Sequence, residues 1–256
     1  MPGRPYILAE TNWKAVQATV YDVAVLPWGA TEAHNYHLPY ATDVTESDRI
    51  ASEAARLAWE KGARVIVLPT VPFGVNTGQL DLKLTINMNP STQLALLNDI
   101  AASLAQQHIP KLVILNGHGG NDFKQMIREL APQHNLFLCT LDWFRCLNLT
   151  TFFDEPGDHA GEMETSLMQY LTPELVLPLA EAGEGSTRKF KIKALREGWA
   201  WTQRDWLKAT VDTGVGNPQA ATAEKGKRYF EAVTEKIAGF LVELASVEMK
   251  DLYETA

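Results

Sequence analysis

The sequence predicts an α/β fold: a mainly parallel sheet with helices on both faces. Four apolar segments of strand length, which begin at Val23, Arg64, Lys111 and Leu136, alternate with stretches of helical periodicity. Strands that alternate with helices form right-handed βαβ units, so the sheet is parallel and covered on each face. The chain has 256 residues without an internal repeat or a low-complexity linker, and we expect one domain over residues 1–256.

Several helix boundaries are marked by residues that start or stop helices. Gly62 ends the second predicted helix, Pro90 lies in the first turn of the third, and Pro173 breaks the helix that opens at Asp158. The mixed stretch 183–213 is an excursion from the sheet. Strands are expected over 23–26, 64–69, 111–115 and 136–141, and helices over 12–21, 42–61, 89–108, 122–133, 158–171 and 219–244.

Composition and charge exclude some classes of partner. The net charge of −8 argues against a nucleic-acid-binding surface, which needs a basic face. No apolar run approaches the ~20 residues that span a bilayer, so we expect no membrane association. The N-terminal residues do not resemble a signal peptide, and we expect a cytoplasmic protein.

Potential metal ligands are concentrated after the first predicted strand. Glu32 and His34 are two residues apart, so their side chains leave the same face of an extended backbone. Asp43 follows just ahead of a helical pattern, where a carboxylate also suits the first helical turn. Two carboxylates and an imidazole at one strand end are the ligands that a divalent metal site needs. The alternative is a polar loop that caps the helix.

Two later segments carry similar side chains. His118 lies in a glycine-rich turn after the third strand, so the topology brings it to the same sheet edge as His34. A phosphate-binding turn is the alternative there. His159 and Glu164 lie near the start of the helix opened at Asp158, where a helix-capping histidine and an exposed carboxylate are the alternatives.

Four segments resemble signatures of the creatininase family. Any one match is weak, but four in order on an α/β background are specific. The resemblance implies metal-dependent amidohydrolases of a single α/β domain that bind two divalent ions (zinc, manganese or iron) and form homohexamers. The matching segments are Gly29-x-x-Glu32-x-His34-x-x-His37-Leu38-Pro39 with Asp43, Asn116-Gly117-His118-Gly119-Gly120-Asn121, His159-Ala160-Gly161-x-x-Glu164-Thr165-Ser166, and Thr213-Gly214-Val215-Gly216-Asn217-Pro218.

The resemblance also implies a set of metal ligands. One family ligand is missing, because creatinine-hydrolysing members carry a Glu where this chain has Gly120. Two divalent ions favour more than two carboxylates, and Glu164 is the expected replacement. Glu162 points roughly 200° away from Glu164 on a helical wheel and is not expected to face the ions. The positions matching family ligands are Glu32, His34, Asp43 and His118, with Asp43 bridging both ions.

These expectations describe a hydrolase. A metal-bound hydroxide attacks the substrate carbonyl, and His159 protonates the departing nitrogen. Gly119 and Gly120 lack side chains and let the substrate approach the ions. His37 orients a ligand without binding metal itself.

Substrate identity is less determined. We expect a small cyclic or linear amide as the small-molecule substrate, in a homo-oligomeric enzyme. The alternatives are a hydrolase of a cyclic keto-sugar such as a keto-inositol, and a metal-binding protein without catalysis. Trp199, Trp201 and Trp206 form either a packed hairpin or subunit contact, or a substrate clamp.

Overall fold

A computed structural model, which describes residues 3–254, confirms the predicted fold class. Four parallel strands form one sheet in the order β2-β1-β3-β4, with helices around it. No helix in the described range is both long and apolar enough to cross a bilayer. The strands are β1 (Val23–Trp28), β2 (Val65–Val67), β3 (Lys111–Asn116) and β4 (Phe137–Asp142).

The helices follow the predicted order with shifted ends. Those longer than one turn are α1 (Trp13–Gln17), α2 (Thr42–Glu60), α3 (Pro90–Gln106), α4 (Lys124–Leu130), α5 (Glu162–Leu171) and α8 (Ala223–Ser246), with the short α6 (Lys193–Arg196) and α7 (Trp206–Ala209) between the last two. Short 3₁₀ turns lie at Leu8–Glu10, Thr77–Gln79, Trp143–Arg145, Leu149–Thr151, Pro173–Leu175, Leu179–Glu181 and Met249–Asp251.

One departure from the predicted helices bears on the site: α5 begins at Glu162 and not at Asp158. His159 pairs with Val215 in an isolated antiparallel bridge, its backbone carbonyl accepting from the Val215 N–H at 2.7 Å. Ala160 then takes a left-handed conformation with φ 50°. These two features hold His159 outside the helix, on extended backbone.

The sheet separates two hydrophobic cores. Successive residues of a strand point to opposite faces, and β1 shows this directly. Val23 and Val25 pack in the core against α2 and α8, whereas Ala24, Leu26 and Trp28 pack in the core against α3 and α4. The strand is buried along its whole length, as expected for a central parallel strand covered on both sides.

The strand order creates a switch point at β1. The chain runs from β1 through α2 to β2 on one side, and then crosses to β3 on the other. Trp28 pairs with Asn116, and Asn116 with Asp142, so β1, β3 and β4 end level with one another. Segments that leave β1 and β3 therefore emerge side by side, the usual place for a binding site in such a sheet.

Two glycines let the first turn of α2 approach these strand ends. A Cβ on Gly29 would lie 2.6 Å from the Val44 nitrogen and 2.7 Å from the Asp43 carbonyl carbon. A Cβ on Gly117 would lie 2.0 Å from Ser47 Oγ and 3.3 Å from the Asp43 carbonyl oxygen. A side chain at position 29 would meet the backbone of α2, and one at position 117 would meet the Ser47 side chain, so both glycines allow α2 to approach the strand ends closely.

We predict that Gly29→Ala destabilises the fold by about 1–3 kcal/mol, because its new methyl group meets rigid backbone and not a flexible side chain. The added volume also pushes Asp43 outward. Chemical denaturation of the metal-free protein measures the first effect, and a metal-binding titration measures the second.

The matched control is Gly239→Ala, inside α8, where an added Cβ meets nothing within 4 Å. That change should stabilise the helix by about 0.5–1 kcal/mol and leave metal binding unaltered. If both variants behaved alike, the close approach at Gly29 would not restrict α2.

Candidate metal centre

Six side chains from four separate segments meet at the carboxyl edge of the sheet. Two follow β1, one lies in the first turn of α2, one follows β3, and two flank the start of α5. All six are buried, with at most 9% of each residue exposed. They are Glu32, His34, Asp43, His118, His159 and Glu164.

Asp43 stands at the middle of this cluster. Its Oδ1 is 2.8 Å from His34 Nε2, and its Oδ2 is 3.0 Å from His118 Nδ1. The two carboxylate oxygens thus face different imidazoles, which is the arrangement of a carboxylate that bridges two cations. Three groups have ligand atoms all within 4.8 Å of one another: Glu32, Asp43 and His118; His34, Asp43 and Glu164; and Glu32, His34 and His159.

Backbone carbonyls orient the three imidazoles. His34 Nδ1 lies 3.2 Å from the Glu32 carbonyl, His118 Nε2 lies 3.0 Å from the Val75 carbonyl, and His159 Nε2 lies 2.8 Å from the Ala33 carbonyl. A carbonyl only accepts, so in each neutral ring this nitrogen carries the hydrogen. The other nitrogen then presents a lone pair to the carboxylates.

These convergent lone pairs are the main evidence that the residues fit metal ions. His118 Nδ1 is 2.9 Å from Glu32 Oε1 as well as 3.0 Å from Asp43 Oδ2, so three electron-rich atoms share one small space. Only a proton or a cation can make such a cluster favourable. Histidines whose second nitrogen donates to a carbonyl are the usual form of metal-binding imidazoles.

The charges at the site perturb its pKa values strongly. Burial alone would lower the pKa of His34, but the adjacent Asp43 carboxylate raises it to about 10. Burial opposes ionisation of Asp43, yet His34 and His118 hold its pKa below the usual range. Burial raises the pKa of Glu164 to about 7, and the like charge of Asp43 adds to the effect. Without metal, the site therefore favours retaining protons.

The two glutamates at the start of α5 lie in different surroundings. Glu164 belongs to the cluster, where its carboxylate accepts from the Ala160 N–H. Glu162 instead accepts from the Glu155 N–H at 2.7 Å and pairs with Lys225. The structure thus brings Glu164, and not Glu162, together with His34 and Asp43 in one group of ligand atoms.

The remaining predicted residues lie around the cluster. Gly119 and Gly120 are exposed and line the cavity of about 300 Å³ above it, together with His159 and Glu164. The His37 ring bonds to Thr165 Oγ1 at 2.9 Å and to none of the cluster residues. His37 therefore contacts α5 at Thr165, the residue that follows Glu164. Its burial and the nearby His34 lower the pKa of the His37 imidazole to about 4.

Gln79 was not predicted from the sequence as part of the site, and Trp206 was named only as one of the three grouped tryptophans. Gln79, in the 3₁₀ turn Thr77–Gln79, is buried and donates its side-chain amide to the Glu32 carboxylate. The Trp206 ring lies edge-on to His159 with ring centroids 4.8 Å apart. Nothing in the local sequence signals the contact of Gln79 with Glu32, because the pairing is long-range.

Glu46 was also not predicted, although the sequence contains a signal for it. It lies three residues after Asp43 and four before Ile50, on the buried stripe of α2. It is completely buried, and neither carboxylate oxygen has a hydrogen-bond partner among residues 3–254. Burial, with the charges of Glu164 and Asp43, raises its pKa well above the usual value.

The three tryptophans do not form the predicted packed hairpin. Trp206 lies against His159, whereas Trp199 and Trp201 are 76% and 83% exposed. Their segment folds back through an antiparallel bridge between Thr187 and Thr210, but Trp199 and Trp201 stay exposed and do not pack inside it. Trp201 lines cavities next to the metal centre, which fits a substrate contact better than a core position.

Comparisons with known proteins identify the family of this chain. The family model described as creatininase, creatinine amidohydrolase, matches residues 9–241. A mycofactocin precursor peptide peptidase of Mycobacterium ulcerans is 29% identical over 224 residues, covering 82% of this chain and 81% of the relative. A creatinine amidohydrolase of Pseudomonas putida is 26% identical over 199 residues, covering 68% and 75%.

Solved structures share the whole fold. A Bacteroides fragilis protein assigned by name to the creatinine amidohydrolases is 49% identical, with a TM-score of 0.91 over 98% of this chain and 99% of its own. A creatininase that is 23% identical superposes with a TM-score of 0.78 over 95% and 99% of the two chains. Creatininase structures of the same fold are known in a Zn–Zn form and a Mn form. The family match over most of the chain and the close structural relative lead to one conclusion: the chain belongs to the creatininase family of hydrolases.

Proposed function

We propose that this chain is a metal-dependent amidohydrolase that cleaves the C–N bond of a small cyclic or linear amide. The observation that carries the proposal is the Asp43 carboxylate, whose two oxygens face the free nitrogens of His34 and His118. Such a carboxylate is suited to bridge a pair of divalent ions.

The proposed ligands fall into two sets that share Asp43. Glu32, Asp43 and His118 would hold one ion, and His34, Asp43 and Glu164 would hold the other. Zinc, manganese and iron all accept such mixed imidazole and carboxylate ligands. The Zn–Zn and Mn forms of related creatininases support the first two metals.

The ions supply, when bound, a water of lowered pKa and a Lewis acid for the substrate carbonyl. His159 transfers the proton to the departing nitrogen in the proposed reaction. In the metal-free site, burial and the nearby His34 lower the pKa of His159 to about 4. Its Nε2–H is engaged with the Ala33 carbonyl. Nδ1 is thus free to accept a proton and to return it to the departing nitrogen.

The cavity walls position the substrate. Gly119 and Gly120 line the cavity and have no side chains, so an amide can approach the proposed metal ligands closely. Trp206 packs against His159 and covers one side, which excludes water from the reacting atoms. His37 acts more remotely, by holding α5 through Thr165.

Cleavage of a C–N bond is favoured over the keto-sugar alternative. The relatives named as a peptide peptidase and a creatinine amidohydrolase both cleave amide-type bonds by name. An imidazole placed to protonate a departing nitrogen also favours turnover over a purely metal-binding role. A homohexameric assembly and a cytoplasmic location remain predictions from the family resemblance and the sequence.

Replacing His34 or His118 by Ala should remove bound metal, because each ring supplies the only imidazole nitrogen of its proposed ligand set. Elemental analysis of purified protein reconstituted with zinc or manganese should give about two ions for wild type. We expect a loss of 10–100-fold or more in affinity for each variant. Unchanged metal content in both variants would contradict the assignment.

Replacing His159 by Gln should leave metal content unchanged while lowering kcat by about 10²–10⁴-fold, the usual contribution of a general acid–base residue. The assay uses the metal-loaded enzyme on creatinine, formamides, lactams and keto-inositols. The matched control is His134→Gln, on a half-buried histidine that bonds Asn98 Oδ1 at 2.9 Å, away from the site. Tight metal binding without turnover of any amide would favour the non-catalytic alternative.

A further inference from the structure

The cavity above the metal centre continues into a second one. This neighbouring cavity has a volume of about 350 Å³ and shares Gly119, Gly120, Phe144 and Arg145 with the first. We call it the side pocket. Apart from the shared residues, the side chains that matter for the argument are Asp122, Lys124, Thr140, Asp142 and Trp201.

One oxygen of each carboxylate in the side pocket is already used within the protein. Asp142 Oδ1 accepts from Asn116 Nδ2 at 2.8 Å, and Asp122 Oδ1 accepts from the Lys124 N–H at 3.1 Å. The Asn116 amide oxygen in turn accepts from the His118 N–H at 3.2 Å. These acceptors therefore help to fix the loops that form the pocket walls.

The donor groups, in contrast, remain largely unused. Lys124 makes no ion pair within residues 3–254. The Arg145 side chain is 71% exposed, and its pairing with Asp142 is long at 3.5 Å. Thr140 Oγ1 is buried and has no hydrogen-bond partner in the described part of the chain. Two cations and a hydroxyl thus line the cavity beside two carboxylates, and within residues 3–254 no ion pair brings either cation closer than 3.5 Å to a carboxylate oxygen.

The shape of the pocket adds a second constraint. Gly119 opens the passage from the metal centre, since an added Cβ there would meet nothing within 4 Å. The indole of Trp201 is 83% exposed and lines the side pocket. A flat or apolar portion of a ligand can pack on this ring while a charged end reaches the cations.

We propose that the side pocket binds a carboxylate on the substrate, so that the preferred substrate is an extended amide carrying an acidic group and not a single small ring. The inference rests on the proposed function, because the scissile amide must lie at the metal centre. Arg145, on the wall shared by both cavities, determines specificity by pairing with the carboxylate.

A series of matched substrates tests the proposal. N-acetyl ω-amino acids of increasing chain length are compared with their ω-amides, using the manganese-loaded enzyme. At the chain length that spans the two cavities, the carboxylate should have a KM about tenfold below that of the amide. Arg145→Gln and Lys124→Gln should each raise KM for the carboxylate by about tenfold more than they raise KM for the amide.

Arg128→Gln is the matched control, since Arg128 is an exposed cation on α4 outside the side pocket. It should change neither KM. Equal effects of Arg145→Gln on the carboxylate and the amide, or no effect on either, would overturn the proposal.

A binding experiment tests the side pocket independently of amide hydrolysis. Adipate and hexanoate, which contain no scissile amide, are titrated into the metal-loaded wild type and Arg145→Gln by calorimetry. Tighter binding of adipate by about tenfold, lost in the variant, would support the side pocket even if no amide were hydrolysed. Amide hydrolysis with equal binding of both acids would retain the proposed function and reject the side pocket.

Discussion

The site depends on how closely the first turn of α2 packs against the ends of β1 and β3. Asp43 reaches both His34 and His118 because Gly29 and Gly117 leave room for its backbone. The switch in strand order brings the two histidines side by side, but it does not set the depth of the carboxylate between them. That depth comes from contacts between backbones. The metal centre is therefore a property of the fold and not only of its ligands.

The strands and the edge of the sheet that carries the site could be predicted from hydrophobic periodicity and topology. Buried strands appear in the sequence as apolar runs, and the carboxyl ends of parallel strands lie at one edge of the sheet. Glu32, His34 and His118 were therefore expected to lie close together. The start of α5 was misjudged because His159 pairs with Val215, which is distant in the chain. Local patterns do not contain such a pairing.

Other parts of the site could not be predicted for a similar reason. The contact of Gln79 with Glu32 joins two loops, and the contact of Trp206 with His159 joins two segments far apart in sequence. Each depends on loop paths that hydrophobic patterns do not specify. Glu46 differs, because its place on the apolar stripe of α2 was visible in the sequence. Only its complete lack of partners required the three-dimensional structure.

Glu46 affects the stability of the metal-free protein. A carboxyl group sealed in the core without partners weakens the folded state by about 1–3 kcal/mol, and the crowded charges of Asp43 and Glu164 add to that strain. Divalent ions bound by the proposed ligands would relieve the crowding. Metal-free copies of the chain would then unfold more readily than loaded ones, because a ligand that binds only the folded state stabilises it.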